Sequence, residues 1–172
     1  MPDPVLRTEH LVLQPITPEL AQAVLAGAGP ALAPGFPRPE DRLLLEGLLD
    51  AGTAATGSWL VSRDGAVVGT AGAAGGTSPD GDQELGYGLV PAARGAGSGT
   101  EAVAAVAAVL ERRPGVRRLT AEVLPGNEAS VRLLHRLGFV EVDGGAPPHV
   151  RLARAAPGQP AVRPRIPGRH VC

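Results

Sequence analysis

The stretch Glu84-Leu-Gly-Tyr-Gly-Leu-Val90-Pro-Ala-Ala-Arg94-Gly-Ala-Gly97-Ser-Gly99-Thr-Glu101 decides how this chain reads. Glu84 to Val90 is a predicted strand, ended by Pro91, which cannot donate to a ladder. A Gly-rich turn follows, and then a helix of roughly a dozen residues from near Ser98. Its apolar positions Val103, Val106, Ala107 and Leu110 fall at i, i+3, i+4 and i+7. Glycines at 95, 97 and 99 let backbone N–H groups converge on one concavity. The helix N-terminus adds partial positive charge, and Arg94 adds a forked cation. Residues 94–100 (Arg94, Gly95, Ala96, Gly97, Ser98, Gly99, Thr100) therefore describe a pyrophosphate site. They are not the dinucleotide fingerprint, which needs Gly where Thr100 stands. The same residues also serve a plain helix start, because Ser98 and Glu101 have capping-box spacing.

Outward from this turn, Leu119 to Leu124 is a second strand, stopped by Pro125-Gly126. Asn127 then opens a helix that carries Leu133, Leu134 and Leu137 to Gly138. Phe139 to Val142 and Val150 to Arg154 close as a strand pair. Upstream, residues 11–16 form a first strand, and Thr17-Pro18-Glu19 caps a helix that ends at Gly27. A second helix is expected at 39–50. Trp59 to Arg63 and Ala66 to Ala71 flank Asp64-Gly65, a strong hairpin signal. The expected fold is α/β (α+β): a mixed, mostly antiparallel sheet of six to seven strands, a central parallel strand–helix–strand crossover, and flanking helices. Residues 1–154 are expected to form one domain. Residues 155–172, with four prolines and three arginines, are expected to be a disordered tail, the alternative being a polyproline ligand.

Composition narrows the chemistry. All sixteen cations are Arg, against 17 acidic residues. Without Lys there is no phosphate-binding lysine loop, Schiff base or pyridoxal anchor. Four aromatic rings and a net charge of −1 make a poor nucleic-acid binder. The four histidines are scattered and Cys172 is the sole cysteine, so no metal site and no internal disulfide are expected. Met1-Pro2-Asp3-Pro4 has no basic stretch followed by an apolar run, so no signal peptide is expected, and the uncharged residues 20–37 are broken by Gly and Pro. No membrane span is read, and a cytoplasmic location is expected.

The quoted stretch resembles the acetyl-coenzyme A motif of GNAT-superfamily N-acetyltransferases, [Gln/Arg]-x-x-Gly-x-[Gly/Ala], through Arg94, Gly97 and Gly99. Asn127-Glu-Ala-Ser130-Val-Arg-Leu-Leu-His-Arg-Leu137-Gly138-Phe139 resembles the same family's Asn…Gly-Phe helix. Thr8-Glu9-His10-Leu11-Val12-Leu13-Gln14-Pro15 is similar to the first strand of the branch that acetylates N-termini of ribosomal proteins. The resemblance covers residues 6–154 and leaves the tail outside it.

That resemblance implies acetyl-CoA as co-substrate, lying between the parallel strands 84–90 and 119–124. Its pantetheine arm would pair with backbone at Leu89 and Val90 and touch Asn127, and its pyrophosphate would sit on the amides of 95–100. Asn127 is also a preferred N-cap in its own right. The implied reaction is direct attack of a primary amine on the thioester. The acceptor is a protein N-terminal amine or a small amine such as an amino acid, polyamine or antibiotic; a CoA-binding module without chemistry is the other class. Glu84 would be the base, its alternative being an exposed strand-end carboxylate. Many members place a general-acid Tyr where this chain has Leu134; by analogy with members lacking it, Ser130 is the candidate, ahead of Tyr87 and His135. A homodimer is left open.

Overall fold

The computed structural model describes residues 3–51 and 57–166. Eight strands and four helices follow one another in the order β1 (Leu6–Arg7), β2 (Leu11–Pro15), α1 (Pro18–Leu25), α2 (Pro39–Ala51), β3 (Ser58–Arg63), β4 (Ala66–Ala74), β5 (Asp82–Leu89), α3 (Ser98–Leu110), β6 (Arg118–Val123), α4 (Glu128–Arg136), β7 (Val140–Val142) and β8 (Val150–Ala155). The fold is the expected mixed α/β type, with one strand more than expected. The addition is β1, whose two residues are too few to show an alternation. The chain divides into two compact units, residues 1–73 with 86–106 and residues 74–85 with 107–172; β5 and α3 each pass from one unit into the other.

In the first unit β1, β2, β3 and β4 form an antiparallel ladder. The β3–β4 turn is built by Asp64 (φ 50) and Gly65 (φ 82), the paired left-handed residues that an Asp-Gly hairpin supplies. Thr17 caps α1 by accepting from the Leu20 N–H, with Pro18 at the first helical position. Leu11, Leu13, Leu45, Trp59, Leu60 and Val61 are the large buried side chains here, and the Trp59 indole N–H donates to the Pro4 carbonyl. Gly69 is required for space: a Cβ there would stand 2.1 Å from the Gly88 carbonyl oxygen.

The second unit carries the parallel pair. Asp82, Gln83 and Glu84 of β5 align with Arg118, Leu119 and Thr120 of β6. β6 runs antiparallel to β8, and β8 to β7, which leaves β7 at the edge. Leu119, Leu134, Phe139 and Leu152 form its core. Asn127 caps α4 through its side-chain oxygen, which accepts from the Ser130 N–H at 3.2 Å. The four apolar positions read along α3, from Val103 to Leu110, are all fully buried. No helix among the described residues is long and apolar enough to cross a membrane.

Candidate active site

The turn after β5 lies in the first unit and is built as its sequence suggests. A 3₁₀ turn at Pro91–Ala93 leads to Arg94 in extended backbone, and then Gly95 and Gly97 take φ of +82° and +81°. Only glycine enters that region without strain. A Cβ at Gly95 or Gly97 would meet nothing within 4 Å, so the turn is open above both residues. The Gly97 carbonyl accepts from the Glu101 N–H, which makes Gly97 the residue that opens α3. Residues 94–97 are exposed. Left-handed glycines alternating with ordinary residues ahead of a helix N-terminus form a concavity of backbone N–H groups, suited to an anion. Arg94 flanks it, and its Nε–H donates to the Leu89 carbonyl at 3.0 Å. That bond holds the side chain while its two terminal NH2 groups make no hydrogen bond among the described residues.

Ser98 and Glu101 are held differently from a capping box. The Ser98 hydroxyl is buried and accepts from Nη1 of Arg63 at 2.6 Å. The Glu101 carboxylate turns away from its own helix end, accepting from the Thr8 hydroxyl and from the His10 N–H at 2.8 Å. His10 Nδ1 stands 3.1 Å from its other oxygen. Desolvation pushes this carboxylate up, but the summed hydrogen bonds from Thr8 and His10 outweigh it and hold Glu101 below the ordinary carboxylate range. Two charge-assisted contacts, Arg63 of β3 on Ser98 and the β1–β2 turn on Glu101, thus fix the start of α3. Neither was legible in the sequence, because local spacing says nothing about a partner 35 or 91 residues away.

Leu89 and Val90, expected beside the pantetheine arm, are both buried. The Val90 N–H already donates to the Val68 carbonyl, and the Val90 carbonyl accepts from Ala93. Only a second lone pair on that carbonyl is left for a ligand at Val90. One residue before Leu89, the Arg38 guanidinium packs so closely on Gly88 that a Cβ there would meet it at 2.2 Å. Arg38 is held by Asp41 through bonds of 2.7 and 2.8 Å, and the buried Asp41 carboxylate also accepts from the Thr70 hydroxyl. This network is a further feature that sequence reading does not find.

The second unit carries Glu84, Asn127 and Ser130. Glu84 is solvent-accessible, yet its surroundings push its pKa up: desolvation is the largest cause, repulsion from Glu122 adds to it, and the charges of Arg151 and His149 oppose it. An ionised carboxylate whose pKa is raised is a stronger proton acceptor than an ordinary surface one. Asn127 is exposed and lines a groove with Leu124, Pro125, Val131 and Val150. Its oxygen serves the α4 cap, so its amide NH2 is the part left for a ligand. The Ser130 hydroxyl, half-buried in the first turn of α4, makes no hydrogen bond among the described residues. Leu134 is wholly buried and belongs to the core, and His135 is exposed with Nδ1 against the Phe139 carbonyl. Among the described residues no cluster of His, Cys, Asp or Glu is placed to hold a metal.

The model of the acetyltransferase (GNAT) domain matches residues 10–140. A ribosomal-protein-S5-alanine acetyltransferase from Vibrio fischeri superposes with a TM-score of 0.67 at 21% identity, over 92% of this chain and 100% of its own. A Bordetella pertussis protein whose designation places it in the GnaT family gives 0.64 at 29% identity, over 89% and 100%. The Mycobacterium smegmatis RimJ in complex with CoA-disulfide gives 0.59 at 20% identity, over 85% and 82%. No match is found among curated proteins.

Proposed function

The chain belongs to the GNAT acetyltransferase family, and from that membership we propose that it transfers an acetyl group from acetyl-CoA to the α-amine of a protein N-terminus. The enzyme is an acyltransferase. The observation that carries this reading is the open turn at 94–97, with two left-handed glycines ahead of α3 and Arg94 beside it. Those residues suit a pyrophosphate: they offer N–H donors, a cation and no carboxylate. Acetyl-CoA supplies the acetyl group as an activated thioester.

The chain's own residues then have the following tasks. Amides of 95–100 and Arg94 hold the pyrophosphate, Leu89 offers backbone to the pantetheine arm, and the Asn127 amide donates to it. Glu84 accepts the proton that the amine loses as its nitrogen bonds to the acetyl carbon and the carbon–sulfur bond breaks. Ser130 donates to the departing sulfur. An α-amine with pKa about 8 is partly neutral at pH 7, whereas a Lys amine at about 10.4 is not, so a modest base is enough for an N-terminal acceptor. The raised pKa of Glu84 suits that task. A thiol of pKa about 8.5 leaves with little help, which fits Leu134 standing where many relatives have a Tyr. Structural neighbours named for ribosomal-protein acetylation support the choice of acceptor class.

The test is thioester turnover, read as free thiol, across N-terminal peptides, amino acids, polyamines and aminoglycosides, with the acetylated product identified by mass. Turnover confined to small amines would reject the protein acceptor, and thiol release with no acetylated amine would reject the transfer.

A further inference from the structure

The C-terminal segment expected to be disordered is partly seated on the second unit. β8 runs on to Ala155, and Ala156 is buried with its N–H donating to the Arg117 carbonyl at 2.9 Å. Gln159 N–H turns the chain back by donating to the Ala156 carbonyl. Farther along, Arg165 N–H donates to the Glu141 carbonyl at 2.7 Å, and its guanidinium lies 3.4 Å from Asp143. Glu141 belongs to β7, the edge strand of this unit, so the contact is a backbone bond added to a sheet edge. Residues 167–172 lie outside the described residues.

What the segment covers follows from register. Glu84 aligns with Thr120, and Thr120 with Ala153; Glu122 aligns with Arg151. Side chains at aligned positions share one face of a sheet, and every second residue of a strand returns to it. Asp82, Glu84, Thr120, Glu122, Arg151 and Ala153 therefore stand on one face. Gln159 and Arg163 wall a cavity of about 780 Å³ that shares Asp82, Thr120, Arg151 and Ala153 with that face. A second cavity, of about 340 Å³, brings Arg165 together with Asp143, His149 and Arg151. Arg151 and, when protonated, His149 are the groups whose positive charge reaches Glu84.

We propose that this face and the β7 edge form a docking site for an extended peptide that bears a cationic side chain, and that residues 157–165 occupy it in cis as a strap. The inference rests on the reading that the acceptor is a protein N-terminal segment. The strap meets the site as such an acceptor would, with one backbone N–H to Glu141 and one cation to Asp143. It is held weakly, because both partners of the Arg165–Asp143 pair are exposed. An acceptor competes with the strap, and loosening the strap raises the fraction of protein open to the acceptor.

Arg165→Pro in the full chain removes the N–H given to Glu141. The expected result is a rise of about five-fold in kcat/KM for an N-terminal peptide with a basic residue, and no change for a small alkylamine that needs no groove. Arg165→Glu, which sets like charge against Asp143, repeats the measurement should the first variant not fold. A kcat/KM for the peptide equal to or below wild type overturns the proposal. Binding of a labelled peptide with the sequence of residues 157–166 is followed alongside by fluorescence anisotropy. It should be about five-fold tighter to the variant than to wild type, and equal affinity overturns the strap. Should no amine turn over at all, acetyl transfer fails, while the anisotropy result still decides the docking site.

Discussion

The Arg63 guanidinium donates to the Ser98 hydroxyl at 2.6 Å and so ties the last residue of β3 to the first residue of α3. Ser98 is 1% exposed, so its hydroxyl would be left buried and without that donor if Arg63 were removed. The amides that face a ligand are the backbone of the same turn. A bond that holds the turn still therefore bears on binding without touching the ligand.

Arg63→Met keeps much of the side chain's apolar bulk and removes the donor. A charged hydrogen bond is worth about 1.5–3 kcal/mol, so stability should fall and CoA affinity should weaken by about ten-fold. Ser98→Ala should lose less, because the donor it leaves behind, Arg63, is partly exposed and can turn to water. The double variant should cost less than the sum, which thermal unfolding and calorimetry together can check.

Glu101→Gln addresses the second tie, to Thr8 and His10. The folded protein holds the Glu101 pKa below its ordinary value, hence binds the ionised form. Its contribution is then fully present above the unfolded-state pKa of about 4.3 and disappears as pH falls through the lower folded value. The variant should be destabilised by about 1 kcal/mol at pH 7, and its deficit should close on acidification below about pH 4. A deficit that is constant across that window would mean that shape, rather than charge, holds the contact.

The local half of this structure was legible in the sequence. Asp64-Gly65 named its hairpin, Thr17 and Asn127 named their caps, and the Val103–Leu110 stripe named the buried face of α3, because each signal acts within a few residues. The glycines at 95 and 97 take the conformations that the turn was expected to need. What was not legible is held by side chains that meet across the fold. Arg63 on Ser98, Thr8 on Glu101, and Thr70 on Asp41 leave no spacing to read. The seat of residues 156–165 escaped for a related reason: a Pro-rich segment held by two backbone bonds and one exposed ion pair has no hydrophobic period.

Glu122→Gln isolates the cause of the Glu84 shift. Glu122 raises the Glu84 pKa by repulsion, second only to desolvation, so removing its charge should lower that pKa. A base works only when deprotonated, so the acid limb of the pH–rate profile should move to lower pH while the plateau rate stays within about two-fold. Glu84→Gln, by contrast, should lose about 10²–10⁴-fold in kcat at neutral pH and recover as pH rises through the acceptor's own pKa. Wild-type rates for Glu84→Gln at pH 7 would retire the base assignment.

Calorimetric titration of CoA into wild type and Gly97→Asp decides whether the turn at 94–100 holds the pyrophosphate of CoA. Space above Gly97 is open and its φ is +81°, a region that Asp enters with less strain than most residues, so the variant should still fold, with a melting temperature a few degrees below wild type. Its carboxylate would stand where the phosphates must sit, opposed by like charge. Wild type should bind CoA measurably, Gly97→Asp not at all, and Gly97→Asn, which has the same shape without the charge, only partly. A folded Gly97→Asp protein that binds CoA as tightly as wild type would put the pyrophosphate elsewhere.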